Sequence, residues 1–123
     1  MVRRGTKGGA EMNDDVFVTV PLSEVVERPL PCVRDEHGEI KEQTVKRLFA
    51  KVDEELNEMK AAFVLWHIAP QREDSVRRKF FSEEAADTIT AITTLCEALG
   101  IDADMRDEAQ RRVNSRNRKR GRL

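Results

Sequence analysis

The chain has little of what most ready-made functional devices require. It holds only two cysteines, Cys32 and Cys96, far apart, with no CxxC and no histidine at zinc-finger spacing. That excludes a disulfide-stapled scaffold and a structural zinc site, and leaves two reduced, unpaired thiols. Tyrosine is absent, aromatic residues make up 5% of the chain, and Val, Ile and Thr do not fall in alternating runs. A sheet protein is thereby disfavoured and an all-α one expected. No apolar run reaches the roughly 18 residues of a membrane span. The start, MVRRGTKGGAEMNDD, lacks the apolar segment of a secretory signal and reads as a flexible arm over 1–14. A cytoplasmic protein without membrane contact follows as the expectation. Neither charge sign dominates: the formal net charge is −1, which argues against a general nucleic-acid binder.

What the chain does have is charge, at 37% of its residues, unevenly placed. The last stretch, RRVNSRNRKRGRL (111–123), contains no acid, and all 23 Asp and Glu lie ahead of it. An acidic middle and a basic end suit a ligand that needs both a cation and positive side chains, and phosphate esters fit that description. At 123 residues one domain is expected, large enough for a modest core.

Along the chain, VFVTV (16–20) is a short β-like run, and the following PLSEVVERPLP is broken by Pro21, Pro29 and Pro31. An irregular lead-in then reaches DEHG, where Gly38 marks a turn. From Ile40 to about Trp66 the spacing predicts a long helix, with Val45, Leu48, Phe49, Val52, Leu56, Met59 and Phe63 as its apolar stripe. Pro70 ends it. A second long helix starts within REDSVRRKFFSEE and runs to Leu99, stopped by Gly100, with Phe81, Ala85, Ile89, Ile92, Cys96 and Leu99 as its stripe. Ile101 and Asp102 then read as staple and N-cap of a last helix carrying Met105, Ala109 and Val113, which frays into the basic tail (114–123).

Two acidic pairs stand out. Glu55 and Glu58 edge the first stripe, with Glu54 further out, and Glu84 and Asp87 flank the second, each pair at i, i+3. Like charges so spaced on a helix repel by ~0.2–0.5 kcal/mol per pair. Helices joined by a short turn usually pack antiparallel, so the two edges can converge and present four carboxylates to one hard cation such as Mg²⁺ or Mn²⁺. The bland alternative is a pair of ordinary solvated helix faces.

The two pairs together carry a resemblance. EELNE (54–58) followed by EAAD (84–87) resembles the EExxE…ExxD signature of the MazG-like all-α nucleoside triphosphate pyrophosphohydrolases, with 25 residues between Glu58 and Glu84. Lys51 precedes it as KxxEExxE, and RNRKRG (116–121) is similar to the KNxxRG-type end of many single-domain members. The likeness covers roughly Val45 to Gly121, taking in most of an expected domain over 15–113 and much of the tail after it, and departs from the family at PLSEVVERPLP, where members have a helix. The resemblance implies an antiparallel helical bundle completed by oligomerisation into a homodimer or homotetramer. It implies Mg²⁺ (or Mn²⁺) held by Glu55, Glu58, Glu84 and Asp87, with Glu54 and Glu55 as the catalytic pair and Glu54 near the metal either supporting its ligands or acting as base for the attacking water. Lys51, Arg116, Asn117 and Arg120 are the implied phosphate contacts. The implied reaction is water attack at the α-phosphorus of a nucleoside triphosphate, giving a monophosphate and pyrophosphate.

Trp66, Phe80 and Phe81 are candidates to stack on a base, with core packing as their alternative. His67 reads as a helix-end residue and His37 as a loop residue. A ferritin-like di-iron site is excluded, because no histidine stands three residues after a glutamate. The rival of another class is a non-catalytic helical module binding nucleotides or nucleic acid through the basic tail, which leaves the four helix acids unexplained.

Overall fold

A computed structural model describes residues 27–123, so the 16–20 run and the N-terminal arm lie outside the described residues. The described chain is all-α, with three helices and no strand: α1 (Val45–Ile68), α2 (Asp74–Ala98) and α3 (Ala103–Lys119). None of these helices is long and apolar enough to cross a membrane.

The lead-in is irregular, as the prolines require. Its one ordered device is the DEHG turn. The Asp35 side chain accepts from the backbone N–H of His37 (2.8 Å) and of Glu39 (2.9 Å), and Gly38 takes φ 79°, which its missing Cβ permits. The turn pairs Arg34 with Ile40 as an isolated bridge, and Lys41 N–H donates to Val33 C=O at 2.8 Å. That pairing keeps Ile40 out of α1, which begins five residues later than the stripe predicts. Thr44 is its cap, accepting from Arg47 N–H at 3.1 Å.

α2 closes on Gly100 at φ 80°, with Gly100 N–H bonded to Glu97 C=O and Ile101 N–H to Cys96 C=O. Asp102 then caps α3 by accepting from Met105 N–H at 2.9 Å, as its position implies. The end of α3 corrects the sequence reading. Instead of fraying after Val113, the helix runs through Arg116 and Asn117 to Lys119 and closes on Gly121, again with a left-handed glycine and a bond from Arg122 N–H to Asn117 C=O. Arg and Lys are good helix formers, and cations in a last turn suit the helix dipole.

α1 and α2 form an antiparallel hairpin whose seam follows a heptad rhythm. On α1 it is Leu48, Val52, Glu55, Met59, Ala62 and Trp66. On α2 it is Phe81, Glu84, Thr88, Ala91 and Leu95. Leu48, Glu55, Ala62, Thr88, Ala91 and Leu95 are buried. Threonines are tolerated inside because each hydroxyl returns to the carbonyl four residues back: Thr88 to Glu84, Thr93 to Ile89, Thr94 to Thr90.

This seam differs from the expected one. Ile89, Ile92 and Leu99 are exposed in the single chain, as are Val45, Phe49 and Phe63. The helices meet along small and polar residues, and the large apolar ones are turned aside. At 100° per residue, Phe49, Leu56 and Phe63 are offset from the α1 seam in the same sense as Ile89, Ile92 and Cys96 from the α2 seam. In an antiparallel pair that puts both stripes on one side of the hairpin, and Glu54, Glu58 and Asp87 on the other.

The turn end is held by a polar knot. Trp66 Nε1 donates to Asp74 Oδ1 at 2.8 Å, Arg78 reaches Asp74 Oδ2 at 2.9 Å, and the Arg78 guanidinium lies 5.2 Å from the indole centre. Phe81 packs on Trp66 and edge-on to Phe63, which stacks on His67. The bonds from Trp66 and then Arg78 hold the Asp74 carboxyl below the usual range. A lowered carboxyl contributes stability that is complete above its unfolded pKa and lost as pH falls through the folded one. The melting temperature of wild type is therefore expected to exceed that of Asp74→Asn at neutral pH, with the gap closing at pH ~3. Thermal melts at the two pH values check this.

Candidate metal centre

Glu55 occupies a seam position because the heptad rhythm of α1 places it between Leu48 and Ala62, and it is only 8% exposed. Across from it, Thr88 and Ala91 are small enough to leave its carboxyl room, and Glu84, one turn before Thr88, enters half-buried from α2. The sequence puts Glu55 at the border of the core; the fold puts it inside. Glu58, Asp87 and Glu54 stand on the rim, exposed.

Carboxylate oxygens of Glu55, Glu84 and Asp87 lie within 4.8 Å of one another, and so do those of Glu54, Glu55 and Glu58. The four expected ligands, together with Glu54, therefore fall into two triads sharing Glu55. Lys51 is the resident counter-charge. Its ammonium is 2.8 Å from Glu55 Oε1 and 3.4 Å from Glu54 Oε1, and these contacts, that to Glu55 first, raise its pKa. Glu58 is also pushed up, chiefly by repulsion from Glu55, with further repulsion from Glu84 and Glu54.

One cation does not satisfy this cluster. Glu55 Oε2 and Glu84 Oε2 are buried and accept no hydrogen bond among the described residues. Native structures seldom leave such atoms unpartnered. An all-oxygen donor set with two orphaned buried oxygens fits a hard divalent cation such as Mg²⁺ or Mn²⁺.

Beside the cluster opens a cavity of about 560 Å³. Glu54, Glu55, Asp87 and Lys51 line it, together with Thr90 and Thr94 of α2 and with Cys32, Lys41, Gln43 and Arg47 of the lead-in and first turn of α1. The lead-in is tethered over it, with Cys32 N–H donating to Thr94 Oγ1 at 2.9 Å. Cys32 is exposed, Cys96 half-buried, and both thiols are free, as expected.

Other expected site residues lie elsewhere. Trp66, Phe80 and Phe81 do not line the cavity; Trp66 and Phe81 belong to the turn-end knot. Arg116 and Asn117 ride on α3 and Arg120 caps its end; α3 does not pack along either hairpin helix, and none of the three borders the cavity within one chain. Sequence reasoning missed Lys41, Gln43 and Arg47. Arg47 had a legible signal, standing four residues before Lys51 on the side of α1 that carries Glu54 and Glu58. Lys41 and Gln43 had none, since only the tether through Cys32 brings them here. Compared with family models, curated proteins and solved structures, the chain matches none.

The crowding makes a prediction that reverses with the cation. In EDTA, Glu84→Gln is expected to melt above wild type, because it removes one like charge. With Mn²⁺ at ~100 times its Kd, wild type is expected to gain about 2.7 kcal/mol and overtake the variant. Thermal melts of both proteins in both conditions check it, and a wild type indifferent to the ion would reject the centre.

Proposed function

We propose that this chain is a metal-dependent nucleoside triphosphate pyrophosphohydrolase of the MazG-like all-α kind, converting (d)NTP to (d)NMP and pyrophosphate. The observation that carries the reading is the pair of orphaned carboxylate oxygens, Glu55 Oε2 and Glu84 Oε2, buried beside a cavity lined by both acids and bases. The EExxE…ExxD signature supports it from the sequence.

In this reading Glu55, Glu58, Glu84 and Asp87 hold Mg²⁺ or Mn²⁺. When bound, such an ion offsets charge developing on phosphate oxygens and makes a water in its reach more acidic. The chain's own residues do the rest. Glu54, on the rim and lining the cavity, is placed to take a proton from the attacking water. Lys51, paired with Glu55 and lining the cavity, would turn its ammonium to a phosphate oxygen once the carboxylates hold a cation, supplying electrostatic stabilisation in a transfer that depends on positioning and charge. Glu55 contributes by fixing the cluster's geometry from inside the seam.

The same reading makes the protein a homodimer or homotetramer. Val45, Phe49 and Phe63 with Ile89 and Ile92 form an apolar side opposite the acids, and exposed patches of that kind mark interfaces. A second copy packed there completes a helical bundle and keeps the acid side open. A nucleic-acid-binding module using the exposed cations of α3 accounts for that helix but leaves the buried acids without purpose.

The test is direct. Incubated with each NTP and dNTP and Mg²⁺ or Mn²⁺, the protein is expected to release monophosphate and pyrophosphate. Glu55→Gln and Asp87→Asn are expected to abolish release while the helical signal persists. Orthophosphate and nucleoside diphosphate as products would refute attack at the α-phosphorus, and no product from any nucleotide would refute the enzyme.

A further inference from the structure

We infer that the basic wall of the cavity, Lys41 and Arg47 with Gln43, holds the anionic end of the ligand, so that polyphosphate recognition comes from the segment leading into α1. This rests on the hydrolase reading and deepens it by assigning phosphate contacts that the C-terminal end of α3 does not make within the chain.

Four observations converge. First, Lys41 and Arg47 share one cavity lining with Glu54, Glu55 and Asp87, so a ligand there meets a basic region and an acidic one at once. Among the described residues neither Lys41 nor Arg47 is in an ion pair, whereas Lys51 is already engaged by Glu55 and Glu54. Second, the order along the helix is directional. Arg47, Lys51, Glu54 and Glu58 recur at spacings of four, three and four on one side of α1, with Arg47 and Glu54 separated by about 10 Å of helix rise. An extended anion lying along this edge puts one end at the bases and the other at the carboxylates.

Third, the first turn of α1 contains no acid, and Thr44 caps the N–H of Arg47. The positive end of the helix dipole therefore adds to the charge of Arg47 at the cavity wall. Fourth, among the described residues no aromatic ring lines the cavity. Recognition there is by charge and hydrogen bonding, with the Arg47 fork suited to two phosphate oxygens, Lys41 to one, and the Gln43 amide as an uncharged donor. The wall is not a loose loop: the bonds of Cys32 N–H to Thr94 and of Lys41 N–H to Val33 hold it against α2 and against itself. The ligand class that fits is a cation-bridged polyphosphate, recognised by its phosphates.

The test uses inorganic tripolyphosphate, which has no base or sugar, titrated calorimetrically into the full chain with Mn²⁺ present. Wild type is expected to bind it. Lys41→Ala and Arg47→Ala are each expected to weaken binding about tenfold or more, with Arg47→Lys recovering part of the loss. Affinity for Mn²⁺ alone and the circular dichroism spectrum are expected to stay as in wild type. Unchanged tripolyphosphate binding in the Lys41→Ala/Arg47→Ala double variant would overturn the inference, as would a wild type that does not bind it. The two readings fail separately. A chain that binds tripolyphosphate through these residues but releases no monophosphate keeps the anion wall and loses the hydrolase. A chain that hydrolyses nucleotides equally well without Lys41 and Arg47 does the reverse.

Discussion

Between α1 and α2 a carboxylate stands where an interhelical seam ordinarily takes a leucine. Removing an ionised group from water costs several kcal/mol even after local relaxation, and a single removed partner leaves that cost exposed. Much of the hairpin can be understood as accommodation of Glu55. Lys51, one turn earlier, supplies a charge at 2.8 Å. Small residues face it, because a large apolar side chain would bury it beyond compensation. Thr88 sits in the seam on α2 with its hydroxyl bonded to the Glu84 carbonyl of its own helix, so it asks nothing of the acid. The hairpin thereby gives up a conventional apolar core along its middle, and among the described residues the extended aromatic packing is at the turn end, around Trp66 and Phe81.

That arrangement sorts the hairpin into two sides. The large apolar residues, displaced from the seam, gather on one, and the acids with the cavity occupy the other. The separation has a physical logic. Cohesion and ligand binding want opposite properties from a surface, one dry and apolar, the other wet and charged. A two-helix unit has too few faces to mix them. In the proposed homodimer each side does one job, and the partner's helices cover what a single chain leaves in solvent.

Helix content and the two acidic pairs were readable because both are written locally. Pro70, Gly100 and the stripe spacing marked α1 and α2 to within a few residues, and Asp102 announced α3 by side-chain chemistry alone. The start of α1 was misplaced because Ile40 follows the helical rhythm but is drawn away by a backbone pairing with Arg34 that no local pattern announces. The choice of seam was hidden for a deeper reason. Ile89 and Ile92 look more like core than Thr88 and Ala91, and burial in one chain depends on which stripe the neighbouring helix selects, a tertiary matter. The end of α3 was misread because a run of cations resembles a tail, although Arg and Lys are sound helix formers and Gly121 is a terminator in plain view. Of the candidate site, Glu55, Glu58, Glu84 and Asp87 were legible from spacing. Lys41 and Gln43 were not, since a hydrogen bond from Cys32 across sixty residues of chain brings them to the cavity.

The manner in which α3 is attached carries a mechanical consequence. Its described tertiary bonds all fall near its beginning, from Arg106 to Glu97 and to the Ile101 carbonyl, and from Arg28 to Asp107. Beyond them the helix continues, capped and rigid, to Lys119. A stiff rod pinned at one end acts as a lever. Its 17 residues span about 25 Å. Tilting the rod by a small angle about the Gly100–Asp102 joint therefore sweeps the guanidinium-bearing tip through several ångströms without disturbing the carboxylates in the seam. The position of the tip is in this way decoupled from the geometry of the seam within one short chain.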